Sequence, residues 1–233
     1  LDPNREQTIP LLEDLGRRYR HIWVIKSGTF PYPDPESDIE AWLRENFLLV
    51  RDAEFYSGSS LHAQLYLPQV PVYEEQPPGI QFTTSITFGD QVQLEGYAID
   101  TETWAAGGYG LPLPVTLFWQ AVGNKPDVRY KYILSLVAPG EGAPQVLGVT
   151  EREPYEGDIP TTFWDPGKII AEYLELKLTQ PIPAGTQPVL TLRMYDATTL
   201  EPLPVTAQSD NALLEDGFTV VLPLAPVLEE PLP

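Results

Sequence analysis

The chain has 233 residues, with 33 acidic against 14 basic side chains and a formal net charge of −19. Such a field repels phosphate backbones and anionic lipid head groups, which argues against nucleic acid or a charged membrane surface as a direct partner. There is no cysteine, so disulfides, thiolate nucleophiles and cysteine-bound zinc are excluded together.

In chain order, Leu11, Leu12, Leu15 and Tyr19 recur at helical spacing after Thr8, which predicts a first helix capped at Thr8. A compact β-rich run follows at residues 21–26. Ser37 and Glu40 stand in the capping-box relation ahead of Ile39, Trp42, Leu43 and Phe47, which predicts a second amphipathic helix. Two further strands, residues 48–56 and 61–67, flank the turn sequence at 57–60. Residues 1–68 therefore read as a small α/β lobe, too short to be a complete doubly wound domain.

Residues 67–79 hold four prolines and no sustained periodicity, so a stiff linker is expected at 69–79. Beyond it, apolar residues alternate with a period of two: Val115, Leu117 and Trp119; Tyr130, Tyr132, Leu134 and Leu136; Leu174, Leu176 and Leu178; Leu190, Leu192 and Met194. Alternation means one buried and one solvated face, the mark of antiparallel sheets packed as a sandwich. Gly96 interrupts one such strand and is a candidate bulge. No helix is expected here. The fold class is thus α+β overall: a small α/β lobe followed by an antiparallel β-sandwich, immunoglobulin-like or jelly-roll, over residues 80–233. No apolar run approaches the roughly 18 to 20 residues that span a bilayer, because Pro223 and Pro226 break the longest one. With no start methionine at Leu1, the sequence reads as a soluble piece of a longer protein, with no direct membrane insertion of its own.

Little in it can do chemistry. The two histidines, His21 and His62, fall at predicted strands, where half-buried structural roles are the expectation. There is no nucleophile elbow and no phosphate loop. Glu153, Glu156, Asp158, Asp165 and Glu172 contain pairs of the kind a glycoside hydrolase uses, among many carboxylates present by chance. No cofactor is expected; a structural calcium on oxygen-rich loops is the alternative, although no dense acidic loop matches one. Aromatics are the remaining lead. Trp104 and Tyr109 share the loop 101–110, and Tyr155 and Trp164 bracket a proline-rich turn; exposed rings of this kind stack on sugars. For Trp164 the competing reading is a plug at the sandwich edge.

The wording of residues 18–25, Trp42 and Leu43, and residues 88–99, 113–121, 154–178 and 192–204 resembles the extracytoplasmic C-terminal region of bacterial membrane glycosyltransferases similar to the dolichyl-phosphate-mannose-protein mannosyltransferases. Glu153 and Glu172 stand where aspartates would be expected, and Leu200 where a turn glycine would be usual. The resemblance implies an extracytoplasmic, non-catalytic accessory region at the outer face of the cytoplasmic membrane. Its partners would be the membrane-embedded part of the same protein, which carries the catalysis, and a glycan or glycosylation acceptor. A carbohydrate-binding or adhesive surface module without a transferase parent is the alternative.

Overall fold

The computed structural model describes residues 5–19, 21–28, 38–56, 60–68, 72–100, 111–140, 143–183, 185–207, 213–214 and 216–224. The chain divides into two units, Leu1–Pro71 and Val72–Pro233.

In the first unit, helices α1 (Arg5–Arg18) and α2 (Asp38–Asn46) accompany an antiparallel sheet of order β1-β3-β2, formed by β1 (Ile22–Gly28), β2 (Leu48–Tyr56) and β3 (Ser60–Leu67). Helix α1 starts before the expected Thr8 cap and carries Pro10 inside it, which removes one backbone hydrogen bond from its ladder. Its inward residues are Leu12 and Leu15, packed with Ile22, Leu43, Phe47 and Tyr66. Leu11 and Tyr19, expected on that same stripe, are more than half exposed. A stripe that narrow is enough because α1 and α2 share one small core. Ser37 and the turn at 57–59 lie outside the described residues. Glu40 is buried and forms an ion pair with Lys26 of β1.

The second unit is a sandwich. One sheet has the order β12-β5-β6-β7-β10-β4 and the other β13-β14-β11-β8-β9, and every pairing is antiparallel. The first comprises β4 (Val72–Tyr73), β5 (Phe82–Phe88), β6 (Val92–Ile99), β7 (Leu113–Ala121), β10 (Ile169–Leu176) and β12 (Val205–Ala207). The second comprises β8 (Tyr130–Ala138), β9 (Gln145–Arg152), β11 (Val189–Asp196), β13 (Leu213–Leu214) and β14 (Thr219–Pro223). Strand β4 falls inside the expected linker: Val72 and Tyr73 pair with Ile170 and Ile169. A proline-flanked pair of β-formers is tolerated at such an edge, where one side of the strand needs no ladder partner. Among the described residues this unit holds no α-helix, as expected; the connection from β9 to β10 makes two single 3₁₀-type turns, Pro154–Gly157 and Thr161–Phe163.

The period-two residues face inward as expected: Leu113, Val115, Leu117 and Trp119 of β7 against Tyr132, Leu134 and Leu136 of β8, with Leu190, Leu192 and Met194 of β11, all buried. Each such side chain contributes roughly 1.5–3 kcal/mol on burial. Direct bonds join the sheets: the Tyr97 hydroxyl of β6 donates to the Pro223 carbonyl of β14 at 2.8 Å, and the Trp119 and Tyr132 rings lie 5.6 Å apart. At Gly96 the register of β6 shifts against both β5 and β7, so the bulge is present. Among the described residues no helix is long and apolar enough to cross a membrane.

The turn after β11 is built by Asp196, whose carboxylate accepts the amides of Thr198 at 2.7 Å and Thr199 at 2.9 Å. These backbone bonds, outweighing desolvation, hold its pKa below the usual 3.8. Leu200 closes the turn at φ +63° with its side chain 67% exposed. A left-handed leucine costs about 1–2 kcal/mol and gives little packing back here. Leu200→Gly is therefore expected to stabilise the fold by about 1 kcal/mol after the entropy of glycine is subtracted. Thermal melts would read this as a rise of roughly 2–4 °C, and a fall would show that the exposed leucine contributes packing.

Candidate functional site

The densest polar chemistry in the sandwich is gathered where β9 ends, the chain turns through residues 153–164, and β10 begins. Inward-facing positions of β10 are Ile170, Glu172, Leu174 and Leu176, so the strand's alternation delivers a carboxylate into an otherwise apolar core. Glu172 is completely buried. Its Oε1 accepts the Tyr132 hydroxyl at 2.9 Å and the Tyr155 backbone N–H at 2.9 Å, and its Oε2 accepts the Trp119 indole N–H at 3.1 Å. The Arg152 guanidinium stands 3.4 Å from Oε1 and reaches Glu156 at 3.5 Å on its other side. Desolvation pushes the Glu172 pKa up from 4.5, against the opposing pull of Arg152 and the three donors. The same burial, with Glu172 beside it, raises the Tyr132 phenol well above 10.

The chain above this acid is bent out of ordinary conformations. Tyr155, Glu156 and Gly157 follow one another at φ +54°, +56° and +84°. Two consecutive non-glycine residues in the left-handed region persist only when neighbours over-determine them. Here the Tyr155 amide is held by Glu172 and its hydroxyl donates to the Ala171 carbonyl. Downstream, the Thr161 hydroxyl donates to the Val128 carbonyl at 2.8 Å and accepts the Tyr130 amide at 3.0 Å, tying the second 3₁₀ turn to the entry of β8.

Of the aromatic candidates, Trp164 is 1% exposed, its indole N–H donates to the Ile159 carbonyl at 3.0 Å and its ring lies 6.4 Å from Trp119. Neither face is open to a sugar. Its reading as a binding platform is thus corrected: the turn 160–167 folds the ring inward, where its apolar surface is removed from water. Tyr155 is half-buried and bound at both ends of its residue. Trp104 and Tyr109 lie outside the described residues. The structure therefore brings Tyr155 and Trp164 to one corner as structural pins.

The carboxylates named as hydrolytic candidates are similarly engaged. Glu153 is held by Arg129 at 2.6 and 2.7 Å, Asp165 lies 3.4 Å from Lys125 and 3.7 Å from Lys168, Asp158 is buried, and Glu172 meets no solvent. A surface groove of about 380 Å³ beside them is lined by Lys131, Thr150, Glu151, Arg152, Glu153 and Glu156. His62 is paired with Asp52; burial of Asp52 is outweighed by its bonds to His62 and Gln64, which lower its pKa. Among the described residues no three or more histidine and carboxylate side chains converge as a metal site.

A second groove, of about 410 Å³, lies on the outward face of β6, β7 and β10, lined by Gln81, Ala98, Asp100, Thr116, Tyr173 and Glu175 among others. The Tyr173 hydroxyl donates to Glu175 at 3.3 Å. Tyr173, Arg152, Tyr132 and Trp119 were not singled out as site residues by the sequence. Strand parity would have placed Tyr173 outward and Tyr132, Trp119 and Glu172 inward together.

No family model, no curated protein and no solved structure matches the chain. The resemblance to the mannosyltransferases rests on the quoted residues alone.

Proposed function

We propose that this chain is a non-catalytic, extracytoplasmic accessory region of a polyprenyl-phosphate-sugar-dependent membrane glycosyltransferase, which caps the membrane part or positions glycan or acceptor. The observation that carries this reading is the state of Glu172. The acid with the most perturbed environment in the segment bearing the resemblance is sealed from solvent and bound to three structural donors and an arginine. A group so enclosed fixes a corner and reaches no substrate. The other residues that carry the resemblance, Gly96, Tyr97, Thr161, Trp164 and Asp196, likewise make strand bulges, inter-sheet bonds and turns.

The reading expects many membrane helices to be encoded immediately upstream of Leu1, and the chain alone to transfer no sugar from a polyprenyl-phosphate-sugar donor. An upstream soluble region, or turnover by the isolated chain, would remove it. The alternative, a carbohydrate-binding module, is favoured by the outward groove of about 410 Å³ lined by Gln81, Asp100, Thr116, Tyr173 and Glu175. Titration with envelope polysaccharides should then show binding that Trp104→Ala or Tyr109→Ala weakens. Absence of binding at millimolar glycan counts against it.

A further inference from the structure

The groove of about 410 Å³ on the outward face of the first sandwich sheet follows from strand register. Residues directly opposed on antiparallel neighbours share a face. Ala98, Thr116 and Tyr173 therefore stand in one row across β6, β7 and β10. In the next row Pro114 is opposed to Glu175, and its carbonyl accepts the Asp100 amide at 3.2 Å. The small side chains of Ala98, Thr116 and Pro114 make a floor, and taller ones wall it: Gln81 and Asp100 on one side, Tyr173 and Glu175 on the other. Pro114 sits in a strand paired on both sides, a place prolines avoid, and gives the floor a rigid apolar ring. Gln81, Asp100 and Glu175 are exposed and Pro114, Thr116 and Tyr173 half-buried, so the trough is open among the described residues. Its volume falls in the roughly 300–1,000 Å³ range of small-ligand sites.

Charge narrows the occupant. None of the six strands of this sheet carries a lysine, arginine or histidine, whereas Lys131, Arg152 and Arg193 all stand in strands of the other sheet. The trough is lined by two carboxylates and no basic group, so an anionic ligand is repelled. Among the described residues no three or more histidine and carboxylate side chains converge to cage a metal ion. The remaining polar groups are of both kinds. The carboxylates accept, and the Thr116 hydroxyl can do either. Gln81 is anchored because its Oε1 accepts the Ile99 amide at 2.8 Å, which leaves its NH₂ group as a donor. An organic ammonium only donates and would leave that NH₂ unmatched. The Tyr173 hydroxyl donates to Glu175 at 3.3 Å, which leans the ring along the wall as an apolar surface.

We propose that the trough across β6, β7 and β10 is a binding site for a neutral oligosaccharide. The Tyr173 ring takes the C–H face of a sugar, and Asp100, Glu175, Thr116 and Gln81 pair with its hydroxyls. The site rests on the carbohydrate-binding reading above and gives that reading a sheet face in place of the loop aromatics.

The test is calorimetric titration of the full chain with mannohexaose and cellohexaose, beside anionic hexagalacturonate and cationic hexaglucosamine. The expected result is saturable binding of at least one neutral sugar and none of hexagalacturonate. Binding should be about tenfold weaker, a loss of about 1.4 kcal/mol, in Tyr173→Ala and in Ala98→Leu, which fills the floor and removes no contact. Glu175→Ala changes an exposed side chain and should weaken binding in the same direction, which keeps the test available if the other two variants fail to fold. No saturation by either neutral sugar at millimolar concentration overturns the proposal, and so does tighter binding of either charged oligomer. Neutral-sugar binding that these variants leave intact, but that Trp104→Ala or Tyr109→Ala abolishes, overturns this site while the carbohydrate-binding reading stands.

Discussion

Glu172→Ala is expected to destabilise the sandwich by about 3–5 kcal/mol, the penalty for leaving a buried ionic cluster without one partner. For a domain of this size that is a fall of on the order of 10 °C in melting temperature. The substitution strands the Tyr132 hydroxyl, the Trp119 indole and the Tyr155 amide at once, and removes the buried partner of Arg152, which keeps only Glu156 on its exposed side. It also releases the two left-handed residues that the Tyr155 amide bond holds in place. Proteolysis should therefore begin at 153–158 in the variant before the rest of the domain opens. A variant that melts within ~2 °C of the parent would show that the cluster is dispensable.

The same residue sets a pH dependence whose sign follows from its environment. Burial raises the folded-state pKa of Glu172 above 4.5, so the folded chain keeps this proton to higher pH than the unfolded chain does. The stability associated with the protonated form is complete below the unfolded value and is lost as pH rises through the folded one. Compared with Glu172→Gln, which cannot titrate, the wild type should lose relative stability as pH is raised from about 4.5 upward, starting from the ordinary carboxylate value. Denaturant melts of both proteins across that range measure it. A constant difference between them would show that the carboxyl titrates alike in both states.

Gly96→Ala should cost about 1–3 kcal/mol, the range for forcing extra atoms into a packed site. An added Cβ would lie 2.6 Å from the Phe82 carbonyl oxygen and 2.6 Å from the Ile80 side chain. The first is backbone of the paired strand and cannot swing aside. The Phe82 ring stacks on Tyr97 at 4.6 Å, and Tyr97 bonds the opposite sheet at Pro223, so displacement of β5 disturbs the inter-sheet bond too. Chemical denaturation with an unchanged m-value and a lowered midpoint is the expected record. A neutral outcome would mean that β5 slides without loss.

Much of this architecture was legible in the residues. Alternation at positions 115–119, 130–136 and 190–194 depends only on the two-residue repeat of a strand, a local property, and the inward faces followed from it. The interruption at Gly96 and the unusual Leu200 could likewise be marked, because bulges and left-handed turns are set by the conformational range of one residue. The polar corner was not legible as a unit. Glu172 was visible as one of many carboxylates, but Trp119 lies 53 positions before it and Tyr132 lies 40 before it. Their meeting requires β7 to pair with β10 while β8 crosses to the other sheet.

The sequence by itself determined the alternating core strands of the sandwich, the absence of cysteine chemistry and the acidic charge, since each depends on neighbours along the chain or on composition; it took the edge strand β4 for linker. Tertiary structure decided between the platform and the plug for Trp164 in favour of the plug, and it alone decided that Glu172 is sealed by donors from three separate segments. Those outcomes depend on which strand lies beside which, and pairing partners are chosen by the free energy of the whole packed core, which no local pattern encodes.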